Sequence, residues 1–267
     1  MCAGRASASS AVLNLSRSDL PSLDCHAHIA PSVTPTQLES LGSALIFAVT
    51  RSLDEADSAS GRADTHLVWG CGVHPGVPSA RAAFDEHRFE GLVDRFALVG
   101  EVGLDRRTGG MEDQVRVFSA AMRTIREAPV LVSVHSAGCA EQVVEIISGV
   151  GHPGVILHWF LGSDLLVRRA ASSGCYFSVN GAMSEDVLRR IPPDRILPET
   201  DFPAATRRGG GTKPGDTRKL EERVAGILGL PIDQIRRIWY RNLRDVAVAS
   251  GAIERLPASL VDVLLDI

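Results

Sequence analysis

Eight apolar runs constrain what this chain can fold into more than any other feature. They cover 23–28, 44–49, 67–75, 97–105, 130–135, 155–160, 175–180 and 195–201. Ala44-Leu45-Ile46-Phe47-Ala48-Val49 is apolar throughout, as strands buried on both faces are. Most gaps between the runs carry helical signals. Thr34 before Pro35 reads as a capped helix start, and 112–127 carries a stripe of Val115, Phe118, Ala121, Met122 and Ile125. A helix is also expected over 79–96, with others near 140–147, 164–172, 183–190, 219–228, 232–249 and 256–267. Strand and helix in alternation predict an α/β fold, a (β/α)8 TIM barrel. An open doubly wound sheet competes, but no G-x-G-x-x-G turn follows a strand.

The length of 267 residues and the 45% apolar share suit one such barrel, placed over 21–267. The Ala- and Ser-rich segment 1–20 reads as a disordered or extraneous tail. The five cysteines, Cys2, Cys25, Cys71, Cys139 and Cys175, form no C-x-x-C pair. Neither a disulfide framework nor a zinc knuckle is therefore expected, and a reducing cytoplasm is the simplest setting. No run has the length of a membrane span. A net charge of −4 supplies no global basic field for nucleic acid, although bound cations can supply charge locally.

The chemistry sits where the apolar runs end. His26 and His28 are two residues apart on a strand and so share a face. Later runs carry or end in Glu101, His135, His158 and Asp201. A charged group at the end of a buried strand is costly unless paired or bound to a cation, and these groups converge on one rim of a barrel. Imidazole and carboxylate donors without thiolates suit Zn²⁺, Mn²⁺ or Mg²⁺. Six protein ligands exceed what one open catalytic ion needs, but suit two ions sharing a bridging carboxylate. Glu101 is the expected bridge. His26, His28 and Asp201 form one group and His135 with His158 the other, with Asp201 also the expected general base.

Around this set the readings stay double. His74 either donates to a phosphate oxygen or stabilises the turn before Pro75. Asp105 either holds a ligand or a sugar, or caps a loop; Glu199 either orients a ligand or makes a buried structural bond. The loop 204–216, with Arg207 and Lys213, either grips a phosphate backbone or is solvated. His66, His87 and His152 occupy no strand end and are expected at the surface.

As a set, Asp24-Cys25-His26-Ala27-His28, Gly72-Val73-His74-Pro75, Gly100-Glu101-Val102-Gly103-Leu104-Asp105, His135-Ser136, His158 with Phe160 and Gly162, and Glu199-Thr200-Asp201 resemble the TatD family of metal-dependent deoxyribonucleases. Gln114, Phe118 and Asn242 fit as well, and the motifs run in order from about 23 to 246. The resemblance implies a metal-dependent barrel hydrolysing phosphodiester bonds of DNA, as single strands or duplex ends, with the six residues above on the metals. Three positions depart from the family pattern: Ala137 stands where an arginine is usual, Trp159 where a cysteine is usual, and the glycine-rich loop replaces an Arg-Asn-x-Pro segment. They bear on substrate grip rather than on metal binding. His158-Trp159-Phe160-Leu161-Gly162-Ser163 together with Phe177-Ser178-Val179-Asn180 also resembles the TatD-like branch of Qat antiphage defence systems, which implies partner subunits.

Two rivals share the barrel. An amidohydrolase acting on a small amide or ester would commonly bridge its metals with a carboxylated lysine, and neither Lys213 nor Lys219 lies in a strand run, which excludes that form and leaves a glutamate-bridged amide or phosphoester hydrolase open. A scaffold subunit of a defence complex would have no need of all six ligands.

Overall fold

The computed structural model describes residues 20–267, so all of the segment expected to be a tail except Leu20 lies outside the described residues, and Leu20 packs against the core. Eight strands run in sequence order: β1 (Leu23–His28), β2 (Leu45–Val49), β3 (Leu67–Cys71), β4 (Leu98–Gly103), β5 (Leu131–His135), β6 (Val155–His158), β7 (Tyr176–Val179) and β8 (Ile196–Pro198). Each pairs parallel with the next. The helices are α1 (Pro35–Glu39), α2 (Leu53–Ala59), α3 (Pro78–Ala82), α4 (Glu86–Val93), α5 (Met111–Thr124), α6 (Ala140–Val150), α7 (Asp164–Ser172), α8 (Glu185–Arg190), α9 (Arg218–Leu228), α10 (Ile232–Ala249) and α11 (Ala258–Leu265). This is the TIM-barrel order that the alternating runs predict. Among the described residues no helix is long and apolar enough to cross a membrane.

Two expectations need correction. The helix expected over 79–96 is two helices, because Asp85 restarts the chain as a new N-cap whose carboxylate accepts from Arg88 N at 2.7 Å. His152 is buried rather than at the surface. Its ring joins two segments below β6, with Nε2 3.1 Å from Ala128 O and Nδ1 accepting from Gly154 N at 3.0 Å.

The barrel closes without a regular ladder between β8 and β1. Asp201 N donates to His26 O at 3.0 Å, and His28 N to Phe202 O at 2.9 Å. The rest of the seam hangs on Asp24, which is wholly buried. Its carboxylate accepts from Thr200 N at 2.9 Å, Thr200 Oγ1 at 2.7 Å, Gly215 N at 2.8 Å and His26 N at 3.3 Å. Burial pushes this carboxyl up to about 6 against those four donors. One side chain thus ties the first strand, the end of the last and the loop that follows it.

Strand register breaks at two places, between Asp24 and Ala27 in β1 and between Val99 and Val102 in β4. Bulges of this kind re-aim side chains, and here they flank His26 and Glu101. Glycine permits the close approach beside Glu101. A Cβ on Gly72 would lie 2.2 Å from Glu101 N, so no other residue fits there without moving the backbone.

Asp24→Ala is expected to lower the unfolding free energy by about 3–5 kcal/mol, because buried donors lose their shared acceptor. Urea denaturation measures it, and a loss below about 1 kcal/mol would show that the seam is held by other contacts.

Candidate metal centre

At the C-terminal mouth of the barrel the polar strand ends meet around one carboxylate. Glu101, on β4, is almost fully buried. Its Oε2 faces His28 Nε2 at 3.2 Å, His74 Nε2 at 3.2 Å and His26 Nε2 at 3.8 Å. Its Oε1 faces His158 Nε2 at 2.8 Å and lies against His135 Nδ1. Asp201 Oδ1 stands 3.7 Å from His26 Nε2 and 3.8 Å from His28 Nε2. The structure therefore brings all six expected ligands together, and the two oxygens of Glu101 address the two expected groups.

Several donor atoms here have no hydrogen-bond partner among the described residues. His26 Nε2, His28 Nδ1, Glu101 Oε2 and His158 Nδ1 are buried without a hydrogen bond. Unpartnered buried polar atoms are rare and costly, and two of these, His26 Nε2 and Glu101 Oε2, face each other 3.8 Å apart inside the cluster, where they call for an occupant. Three overlapping sets gather their donor atoms within 4.8 Å: His26, His28 and Asp201; His26, Glu101 and His158; and His28, His74 and Glu101. The 3.2–3.8 Å separations on the Oε2 side are the spacing of neighbouring ligands around an ion bonded at about 2.1 Å. The residues fit a divalent cation, with nitrogen and oxygen donors and no thiolate.

A further ring of side chains holds these donors in place. Ser133 Oγ is 2.7 Å from His26 Nδ1, which leaves His26 Nε2 aimed at the cluster. His135 turns Nδ1 inward and places Nε2 3.1 Å from Asp105 Oδ2. Asp105 is in turn clasped by Arg107 through Nε at 2.9 Å and Nη2 at 2.6 Å. Asp105 lies past the end of β4, so its reach comes from the loop rather than from strand alternation. Gln114 of α5 fixes that loop, accepting from Asp105 N at 2.7 Å and donating to Asp105 O at 2.9 Å. Behind His158, Glu199 Oε1 lies 3.8 Å from Nδ1 and accepts from Asn180 Nδ2 at 2.8 Å. Ser178 Oγ donates to its other oxygen.

Electrostatics follow this packing. Burial would raise the Glu101 carboxyl, but the imidazoles of His74, His135 and His158 hold it well below the usual range. Burial would lower His158, yet Glu101 and Glu199 carry it well above its ordinary value. His135 rises more modestly, as Glu101 and Asp105 outweigh burial. Burial, with neighbouring imidazoles, drives His26 well down and His74 down to about 4. Burial lifts Asp201 to about 7. Neutral imidazole and ionised carboxylate are the forms that ligate a cation.

His74 has more contacts than its sequence position foretells. Its Nδ1 accepts from Gly76 N at 2.8 Å, so the neutral ring carries its proton on Nε2, the atom facing Glu101. Its signal in the sequence was a histidine at the end of the third run. The basic loop is arranged differently from expectation. Lys213 Nζ donates to Ser40 O at 2.7 Å, and neither Lys213 nor Arg207 lines the cavity above the cluster. Arg107 and Arg208 line it instead.

The family model described as "TatD related DNase" matches residues 23–247. The chain is 28% identical over 193 residues to the 3'-5' ssDNA/RNA exonuclease TatD of Enterobacter lignolyticus, spanning 66% of this chain and 74% of that protein. It is 27% identical over 165 residues to the uncharacterized metal-dependent hydrolase YabD of Bacillus subtilis, spanning 57% of this chain and 65% of that one. Its fold is similar to the crystal structure of the TatD homologue YJJV from Escherichia coli, with a TM-score of 0.70 over 84% of this chain and 96% of that one, at 19% identity.

Adding Mn²⁺ or Zn²⁺ to chelator-stripped protein is expected to raise its melting temperature, with about 2.7 kcal/mol gained at a hundred-fold excess over the dissociation constant. The His26→Ala/His28→Ala protein should gain nothing, and an equal rise in that variant would locate the ions elsewhere. Asp105→Asn should weaken metal affinity roughly 10–100-fold in a calorimetric titration. Unchanged affinity would remove Asp105 from the support of His135.

Proposed function

The chain belongs to the TatD related DNase family, and we propose that this mouth hydrolyses phosphodiester bonds in DNA with two divalent cations, Zn²⁺, Mg²⁺ or Mn²⁺. One observation carries the reading. The two oxygens of a single buried glutamate each face their own set of imidazoles, with Asp201 on the side of His26 and His28. We assign His26, His28 and Asp201 to one ion, His135 and His158 to the other, and Glu101 to both.

Bound cations would supply the positive charge that eases deprotonation of a water near neutral pH and stabilises the charge that builds on phosphate. The remaining work falls to this chain's own side chains. Asp201, whose Oδ1 stands 3.7 Å from His26 Nε2 at the edge of the cluster, accepts the proton of the attacking water. His74 Nε2–H, fixed by Gly76 N, is a donor directed into the site and available to a phosphate oxygen. Arg107 and Arg208, lining the cavity, are charge partners for the neighbouring phosphates of the strand.

The Enterobacter relative is named for 3'-5' exonuclease action on single-stranded DNA and RNA, and this supports an exonuclease acting on strand ends here. A cytoplasmic setting is part of the proposal and rests on cysteines that stay unpaired, all four described ones being free and buried. A role beside partner subunits in antiphage defence is also part of it, and rests on the segments 158–163 and 177–180 alone.

Asp201→Asn is expected to cut cleavage of end-labelled DNA by roughly 100-fold or more while leaving the circular dichroism spectrum unchanged. A fully active Asp201→Asn protein would rule out its role as the base.

A further inference from the structure

One wall of the cavity above the cluster is apolar, and nothing in the hydrolytic chemistry uses it. The cavity has a volume of about 590 Å³ and runs from the cluster residues His28, Glu101, His158 and Asp201 to Trp159, Leu161 and Leu166. Ala137 and Gly138 also line it, and their small side chains leave it open. A volume of this size is typical of small-molecule sites.

The wall is built with strain. Trp159 has φ +39° and Asp201 φ +42°, the two non-glycine residues with positive φ among the described residues. For a bulky side chain this conformation costs free energy and persists only where its surroundings enforce it. Trp159 N donates to Ser178 O at 3.1 Å, which locks the backbone as it leaves β6. Next in the chain, Phe160 is buried against Phe177 with ring centroids 5.7 Å apart. On either side of that anchor Trp159 and Leu161 line the cavity, Leu161 with 63% of its surface exposed. Leu165, the second residue of α7 and outside the cavity lining, is 68% exposed as well. Large apolar side chains beside an ionic site mark a ligand with an apolar face next to its charge.

We propose that Trp159 and Leu161 stack an unpaired nucleobase adjoining the phosphate held at the cluster. The occupant follows from what surrounds the wall. A phosphate at the cluster with neighbouring phosphates at the cavity-lining Arg107 and Arg208 would lay a strand across the cavity, and the flat group that each sugar of that strand carries is a base. A base in a duplex has its faces covered by neighbours, so the wall selects single strands and frayed ends. The proposal rests on the hydrolase reading above, and its test is separable from that reading.

Trp159 supplies its own reporter. The chain has three tryptophans, and Trp69 and Trp239 are buried. Intrinsic fluorescence of the Asp201→Asn protein with Mg²⁺ is titrated with a short single-stranded oligodeoxynucleotide, and with the same oligonucleotide carrying abasic residues at both ends. Quenching by the first and not by the second is expected; equal quenching by both, or by neither, overturns the proposal. In parallel, kcat/KM for natural and abasic-ended strands is compared in the wild-type protein, Trp159→Ala, Trp159→Phe and Leu161→Ala. Trp159→Ala should lower kcat/KM on the natural strand about ten-fold, the scale of one lost base stack, mainly through KM. Its ratio of natural to abasic cleavage should fall toward one, and Trp159→Phe should restore most of that ratio. Leu161→Ala, at an exposed side chain, should lower the ratio several-fold and decides the matter if Trp159→Ala does not fold. A ratio equal to wild type in folded Trp159→Ala or in Leu161→Ala overturns the proposal. Quenching with no cleavage of either strand would remove the hydrolase reading and leave the stacking wall standing.

Discussion

The mouth of this barrel depends on keeping one carboxylate ionised inside protein. An isolated buried charge is prohibitively costly, and Glu101 has almost no contact with solvent. The imidazoles that answer it come from β1, β5, β6 and the turn after β3, so four parts of the rim are positioned by a single charge. The glycine at position 72 and the bulge in β4 are the backbone adjustments that let the carboxylate reach this place. The same charge leaves the site able to hold a cation, because its Oε2 finds no hydrogen bond among the described residues.

The readable part of this architecture was the part with a period. Buried parallel strands are apolar throughout, so the eight runs declared themselves, and a ligand at a strand end stands out against valine and leucine. That His26, His28, Glu101, His135, His158 and Asp201 meet at one rim was legible for that reason. The supporting contacts were not, because they join residues whose spacing in the chain carries no pattern. Ser133 beneath His26 is 107 residues away from it in sequence. Asp105 holds His135 from a loop, and Gln114 holds that loop from α5. Arg207 and Arg208 are neighbours with the same side chain, and only the fold of a short 3-10 turn over Thr206–Arg208 decides which lines the cavity. His152 looked like a surface residue because its two bonds are to backbone atoms, which composition cannot reveal.

Departures from a family pattern acquire physical content once placed in space. Ala137 and Trp159 lie in the same cavity, so the losses and gains of side-chain volume there bear on one bound molecule. The glycine-rich loop is less free than its composition suggests. Gly215 hydrogen-bonds to Asp24, Thr212 caps on Asp216 and Lys213 is held by Ser40.

The seam between β1 and β8 has a consequence for how the molecule comes apart. Seven of the eight junctions of the barrel are strand ladders, while this one is two backbone bonds and a carboxylate. The proposed ligands of one ion stand on both sides of it, His26 and His28 on one bank and Asp201 on the other. A cation held by both banks would act as a rivet across the one stave without a ladder. Were a cation bound there, opening of the barrel and its release would be a single event, and a chelator would loosen the wall as well as empty the site.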